Sequence, residues 1–358
     1  MFGGINMCDS PISCWLASFP KIEFGNFYVI TKQYHERVQM TKEYLIFDSA
    51  RNRHLLAKFN KIKEVFIPCG KCIQCCMSRS KSWEIRSILE KNLFKDCCCL
   101  TLTYDDEHLP KCDNYYKDET GTYEIPDDQR GIIFYKDVQD FIKRIRKHFN
   151  FKRTIRYICS CEYGTTGTLR PHYHIILFNY TPDDIDPNNV RRSKKGTLLY
   201  KSKFLTEKWS KGFVDVGKCD NQACRYIAQY CCKKLLHQTL CKSAKDINTL
   251  NIKNKIQREG LHASLGLGLQ GFKDNYHTFI YQNFIQYGKF KYAIPRYFVK
   301  KLEAICPRLY NEFKKKSHEF FLNYKVDFDE LRRLRARSNN IISKLKLFMG
   351  DLTNCLVS

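Results

Sequence analysis

The chain has 358 residues, 43% hydrophobic and 14% aromatic, a composition that supports a packed core and excludes general disorder. Its 61 Lys and Arg residues outnumber 37 acidic ones, for a formal charge of +24, and an excess of that size points to a polyanionic partner, nucleic acid first. No apolar run approaches the roughly 20 residues of a membrane-spanning helix. The N-terminal "MFGGINMCDSPISCW" lacks the basic start and apolar core of a secretory signal, so the 19 cysteines are expected in a reducing cytosol, mostly as small core residues. Adjacent cysteines (Cys97, Cys98 and Cys99; Cys231 and Cys232) are a poor pattern for a disulfide framework.

In chain order, residues 1–68 read as short strands and loops, with "FYVI", "YLIF" and "EVFIP" as the strands. In "CGKCIQCCMSRSKSWEIRSILEKNLF" the second half is a helix with Ile85, Ile88, Leu89 and Leu93 on one face. "CCCLTLTY" (97–104) has the pattern of a buried strand, closed by the turn "DDEHLP", and the polar stretch 111–130 reads as a loop. "DVQDFIKRIRKHF" (137–149) is an amphipathic helix with Val138, Phe141, Ile142, Ile145 and Phe149 along one side. "IRYICSCEYG" and "HYHIILFNY" form a hairpin across the Gly/Thr-rich turn 164–169. A polar loop (181–206), a strand "GFVDVG" (212–217) and a helix "NQACRYIAQYCCKKLL" (221–236) follow. Beyond residue 240 the chain is basic and less regular, with helices at 296–305 and 309–345. The expected division is 1–95, a Cys-containing lead-in; 96–240, the core; and 241–358, a basic and mostly helical region.

Two features carry chemistry. Strand alternation puts His172 and His174 on one face and Tyr173 on the other, and hairpin pairing can return Glu162 beside the two imidazoles. Two histidines and a carboxylate with open positions suit Mg²⁺, Mn²⁺ or Fe²⁺ better than a closed zinc site. Tyr226 and Tyr230 stand four apart on the 221–236 helix, roughly 6 Å along its axis, with Lys233 and Lys234 nearly on the same face. Ala223, Ile227, Cys231 and Leu235 form the stripe that would bind this helix to the sheet. Together the groups suit phosphodiester cleavage: the ion stabilises charge on the phosphate, a tyrosine attacks phosphorus, and a lysine offsets charge or lowers the phenol pKa. Two other classes remain open on these residues alone. One is a non-catalytic ssDNA-binding or packaging protein, and the other a metal-dependent oxygenase using His172, His174 and Glu162.

The order of these motifs resembles the replication initiator proteins of microviruses, especially the gokushovirus type, within the HUH endonuclease superfamily. "LTLTYDDEHLP" (100–110) is similar to the first family motif, "CEYG…RPHYHIILF" to the metal motif, and "RYIAQYCCKK" (225–234) to the two-tyrosine motif. "PCGKCIQC…S…W…R" (68–86) and "PRYFVKKLEAICPRLYNEFK" (295–314) extend the likeness, which covers about residues 68–315. The resemblance implies an α+β fold, a central antiparallel sheet flanked by helices, with residues 96–240 as the HUH nuclease core. It also implies Mg²⁺- or Mn²⁺-dependent nicking and rejoining of phage origin DNA through a 5′-phosphotyrosine, in rolling-circle replication. The partners implied are host helicase and polymerase, the setting is the host bacterial cytoplasm, and no membrane is involved. A relaxase or transposase sharing the core is the nearest alternative. Gln229 stands where relatives commonly carry Lys or Arg, and Cys161 where Gly is common.

Cys69, Cys72 and Cys75 follow a C-x-x-C-x-x-C spacing, with Cys76 adjacent and Cys8 as a fourth thiolate. Two readings stand: a structural zinc, or reduced cysteines in a cysteine-rich chain.

Overall fold

A computed structural model describes residues 8, 12–18, 28–31, 44–48, 53–57, 61–70, 72–113, 115–118, 121–124, 127, 130–164, 170–192, 196–229, 259–323 and 328–354. The chain divides into two compact units, residues 1–78 with 299–341, and residues 79–298 with 342–358. In the first, β1 (Ile12–Ser18) is the middle strand of an antiparallel sheet between β2 (Tyr28–Thr31) and β5 (Lys61–Ile67). β3 (Tyr44–Asp48) and β4 (Arg53–Ala57) pair as a hairpin. The sequence predicts β2, β3 and β5 but not β1 or β4. "ISCWLAS" and "RHLLA" are weakly patterned, and pairing fixes their extended state: β1 takes its register from β5, with Ile12 opposite Ile67. The helix α1 (Ile73–Lys91) begins in this unit, where Gln74 Nε2 donates to Ser338 Oγ at 3.1 Å in a buried contact.

The second unit is built on a seven-stranded sheet. In chain order its elements begin with β6 (Cys97–Tyr104), the short hairpin β7 (Tyr115–Asp118) and β8 (Gly121–Glu124), α2 (Tyr135–His148), β9 (Arg156–Tyr163) and β10 (Pro171–Phe178). Then come β11 (Ile185–Arg192), β12 (Leu198–Ser202), α3 (Lys203–Trp209), β13 (Gly212–Lys218), the helical residues 221–229 and β14 (Gly260–Ala263). The sheet order is β11-β12-β13-β6-β10-β9-β14, every neighbour antiparallel. The expected α+β class, a central antiparallel sheet with flanking helices, is what the chain adopts. Further along, the helices Arg296–Ile305, Pro307–Asn323 and Phe328–Asn354 follow the hairpin Ile285–Tyr287 and Phe290–Tyr292.

Three segments read as irregular are ordered. Residues 111–130 hold the β7–β8 hairpin. Residues 181–206 supply β11, β12 and the start of α3, and 260–263 form the outermost strand beside β9. β11, "IDPNNVRR", hides from pattern recognition because it is an edge strand, where one-sided pairing tolerates Pro187 and a polar run.

Alternation along β6 decides which face is core. Cys98, Leu100, Leu102 and Tyr104 are buried, and registered beside them are Tyr173, Ile175 and Leu177, Cys159, Cys161 and Tyr163, and Val214 and Val216. Onto this face α2 lays Val138, Phe141, Ile142 and Ile145, and α3 lays Leu205 and Trp209. Full burial of each large apolar side chain contributes about 1.5–3 kcal/mol. Polar groups in this layer are paired. Trp209 Nε1 donates to Thr103 O at 3.0 Å, and Tyr104 Oη donates to Asp137 Oδ2 at 2.9 Å. Tyr173 Oη lies 3.0 Å from Tyr104 Oη and accepts from the Phe134 amide at 2.9 Å. Burial pushes both phenols well above the ordinary tyrosine range, so they remain neutral hydrogen-bonding groups. Tyr173 therefore anchors β10 from the core side, between His172 and His174. A Tyr173→Phe variant is expected to lose about 1–3 kcal/mol, because the Phe134 N–H is left buried without its acceptor. A shift of the urea midpoint at unchanged slope measures it.

Candidate metal and nucleophile site

The opposite face of the sheet carries the chemistry. On it Glu162 stands directly across from His172 in the β9–β10 pair, and Ser160 across from His174. On the other side of β10, Thr103 and Thr101 face the same two histidines. The hairpin thus brings the three residues of the predicted triad together. Glu162 Oε1 lies 2.7 Å from His172 Nε2 and 2.9 Å from His174 Nε2, and one donor atom from each residue falls within 4.8 Å of the others. The side chains are 22%, 18% and 11% exposed for His172, His174 and Glu162, enough for a substrate phosphate to reach them.

Both imidazoles are oriented through their other nitrogen. Ligation through Nε2 needs the proton on Nδ1, and each Nδ1 has an oxygen neighbour to accept it. For His174 this is Thr101 Oγ1 at 3.2 Å, and for His172 the Arg170 carbonyl at 3.4 Å. The donor set, two neutral imidazoles and one carboxylate converging on a point, fits a divalent ion that keeps open positions. Farther along the same face of β9, Arg156 Nη1 binds Glu90 Oε1 at 2.8 Å, so the C-terminal part of α1 covers that end and not the histidine end.

Residues 221–229 are helical and begin where Asp220 Oδ1 accepts the Ala223 amide at 2.8 Å. The buried stripe is Cys224, Ile227 and Ala228, rotated from the expected Ala223, Ile227, Cys231 and Leu235; Ala223 is half-buried, and Cys231 and Leu235 lie outside the described residues. This rotation leaves Tyr226 38% exposed, its ring centroid 5.7 Å from that of His174 with the planes at 79°. Tyr230, Lys233 and Lys234 also lie outside the described residues. Gln229 is exposed. Cys161 points into the core, its sulfur 3.9 Å from Cys159 Sγ, away from the ligand face.

Sequence reasoning missed the groups that hold these residues. Arg225, next to Tyr226, places Nε 3.0 Å from Glu84 Oε1, and Tyr292 Oη donates to that same oxygen at 2.8 Å. Glu84 is 5% exposed, and the guanidinium carbon of Arg225 lies 4.8 Å from the Phe290 ring centroid. The available signal was a glutamate beside Ile85 in an otherwise apolar stretch of α1, since a buried carboxylate demands a partner. Glu84→Gln is expected to cost about 1–3 kcal/mol of stability by weakening this charged pair. If the pair sets the rotation of the tyrosine helix, cleavage by this variant falls while oligonucleotide affinity stays, as a comparison of kcat with KM reads out.

The four cysteines expected as zinc ligands come together in the first unit, with donor atoms within 4.8 Å of one another.

Residues 97–235 match a family of phage replication proteins described as "Replication-associated protein ORF2". The replication-associated protein ORF2 of Spiroplasma virus 4 is 29% identical over 302 residues, covering 80% of this chain and 75% of the relative. The replication-associated protein VP4 of Bdellovibrio phage phiMH2K is 33% identical over 176 residues, 48% of this chain and 49% of its own length. The replication-associated protein ORF4 of Chlamydia phage 1 is 28% identical over 244 residues, 67% of this chain and 54% of the relative. No solved structure matches. Among the described residues no helix is long and apolar enough to cross a membrane. The family match, which spans both the His/Glu cluster and the tyrosine helix, and three relatives from microviruses agree with the motif order: the chain belongs to the replication-associated proteins of these phages.

Proposed function

We propose that this protein starts rolling-circle replication by nicking the phage origin and later rejoining it through a 5′-phosphotyrosine. The observation that carries the proposal is the convergence of His172, His174 and Glu162 on one point, with the exposed Tyr226 ring against His174. When bound there, Mg²⁺ or Mn²⁺ would neutralise charge on the scissile phosphate. The phenol oxygen of Tyr226 or Tyr230 attacks phosphorus, the phenolic proton leaves, and the P–O3′ bond breaks, so the tyrosine holds the 5′ end and a 3′-hydroxyl is freed. Lys233 and Lys234 are assigned to charge compensation at the phenolate. The freed 3′-hydroxyl primes synthesis, for which host helicase and polymerase in the bacterial cytoplasm are the proposed partners. After one round it attacks the phosphotyrosine and closes the circle.

A single-stranded substrate is supported by the sheet face itself. Phe213 is 60% exposed, registers with Thr103 on the ligand face, and has Lys201 Nζ 5.9 Å from its ring centroid. An aromatic ring beside a cation suits an unpaired base next to its phosphate. The overall charge of +24 adds sequence-independent attraction for the DNA backbone. The test is incubation with circular single-stranded origin DNA and Mg²⁺ or Mn²⁺, followed by a search for protein attached covalently to a 5′ end. A non-catalytic binder gives no adduct, and that result would end the proposal.

A further inference from the structure

We infer that Cys8, Cys69, Cys72 and Cys75 hold one structural zinc ion as four thiolates. Cys8 Sγ lies 3.8 Å from Cys72 Sγ, and Cys69 Sγ lies 4.0 Å from Cys75 Sγ. Disulfide sulfurs stand about 2.05 Å apart, so these are not bridges. A tetrahedron with Zn–S bonds of about 2.3 Å has edges of about 3.8 Å, and the cysteine separations fall there. The backbone shapes the cluster. Gly70, at φ +71°, turns the chain between Cys69 and Cys72, and α1 starts immediately after at Ile73.

Amide groups aim at the sulfurs in relay. Cys69 N donates to Cys8 Sγ at 3.3 Å, Cys72 N to Cys69 Sγ at 3.3 Å, and Cys75 N to Cys72 Sγ at 3.4 Å. Hydrogen bonds of this kind offset thiolate charge around a metal. Cys76, adjacent in sequence, is 4% exposed, lies outside the donor cluster, and gives its amide to Cys72 O as ordinary helical backbone. The fourth ligand is therefore Cys8, which lies 61 residues before Cys69. Four protein thiolates close the coordination sphere, so the ion's role is to staple the N-terminal segment to the start of α1, not to act on substrate. Nothing in this inference depends on the nicking reaction.

The test uses the full chain purified without added metal under reducing, anaerobic conditions. Elemental analysis is expected to find one zinc per chain that survives in the His172→Ala/His174→Ala variant and is lost in Cys69→Ser/Cys72→Ser. Because loss of a structural ion can itself prevent the cysteine variant from folding, the wild type supplies a second measurement. Titration with an organomercurial should release zinc to a chromogenic chelator as four thiols react, and Co²⁺ exchange should give the visible bands of a tetrahedral thiolate site. Folded wild-type protein without zinc, zinc lost with the histidines, or iron with acid-labile sulfide in its place would each overturn the assignment.

Discussion

His174→Ala is expected to abolish Mg²⁺- or Mn²⁺-dependent cleavage while leaving DNA binding, with its salt dependence, intact. The imidazole is one of three donors converging on a point, and its Nδ1 is already engaged with Thr101 Oγ1, so no neighbouring group can take over Nε2. Loss of a mere outer partner of a metal ligand costs roughly 10–100-fold in affinity or activity, and loss of the ligand itself should exceed that. DNA affinity rests on many Lys and Arg residues and their counterion release, so a neutral substitution at one histidine should leave the salt slope unchanged. His172→Ala should behave alike. Glu162→Ala should be milder, because water can replace a single oxygen ligand, and raised Mn²⁺ should recover part of its rate. Calorimetric metal titration beside the nicking assay separates weakened binding from slowed chemistry. Full cleavage by His174→Ala would remove the site assignment.

The parts of the fold legible in the sequence were those where one chemical pattern runs unbroken. "CCCLTLTY" and "HYHIILF" alternate or run apolar and lie in the middle of the sheet, and their limits as strands match the expected ones closely. The helix at Tyr135–His148 was readable because its apolar face is continuous. Segments whose structure comes from a distant partner were not. β14, "GLHA", is four residues long and becomes a strand by pairing with Cys159 and Cys161 about a hundred positions earlier. The site divides along the same line. His172, His174 and Glu162 were legible because alternation and a hairpin are local rules. The Glu84–Arg225 pair joins residues 141 positions apart, which no local pattern reports. Even the tyrosine helix was read correctly in kind but rotated in detail, since Cys224 and Ala228 bury where Ala223 had been expected to lead.

The tyrosine pair makes the sharpest expected result. Each single variant, Tyr226→Phe or Tyr230→Phe, should retain some cleavage of short single-stranded oligonucleotides, and the double variant should have none. Phenylalanine keeps the ring, so the T-shaped contact of residue 226 with His174 survives and only the nucleophilic oxygen is lost. Removing the nucleophile of a triad hydrolase costs on the order of 10⁶ in kcat, and a loss of comparable size is expected once neither phenol remains. The i, i+4 spacing lets either oxygen serve the same phosphate site in turn. Successive rounds are different. One tyrosine must keep the old 5′ end while its partner cuts the regenerated origin, and the new 3′-hydroxyl then resolves the first linkage. Both singles should therefore stall after one round on a circular template, though they cleave oligonucleotides. Peptide mass spectrometry of the trapped adduct reads the outcome directly. Phosphotyrosine on both residues supports alternation. An adduct confined to one residue, with the other variant fully competent over many rounds, would leave a single-tyrosine nickase, in which the second tyrosine is only a neighbour on the helix.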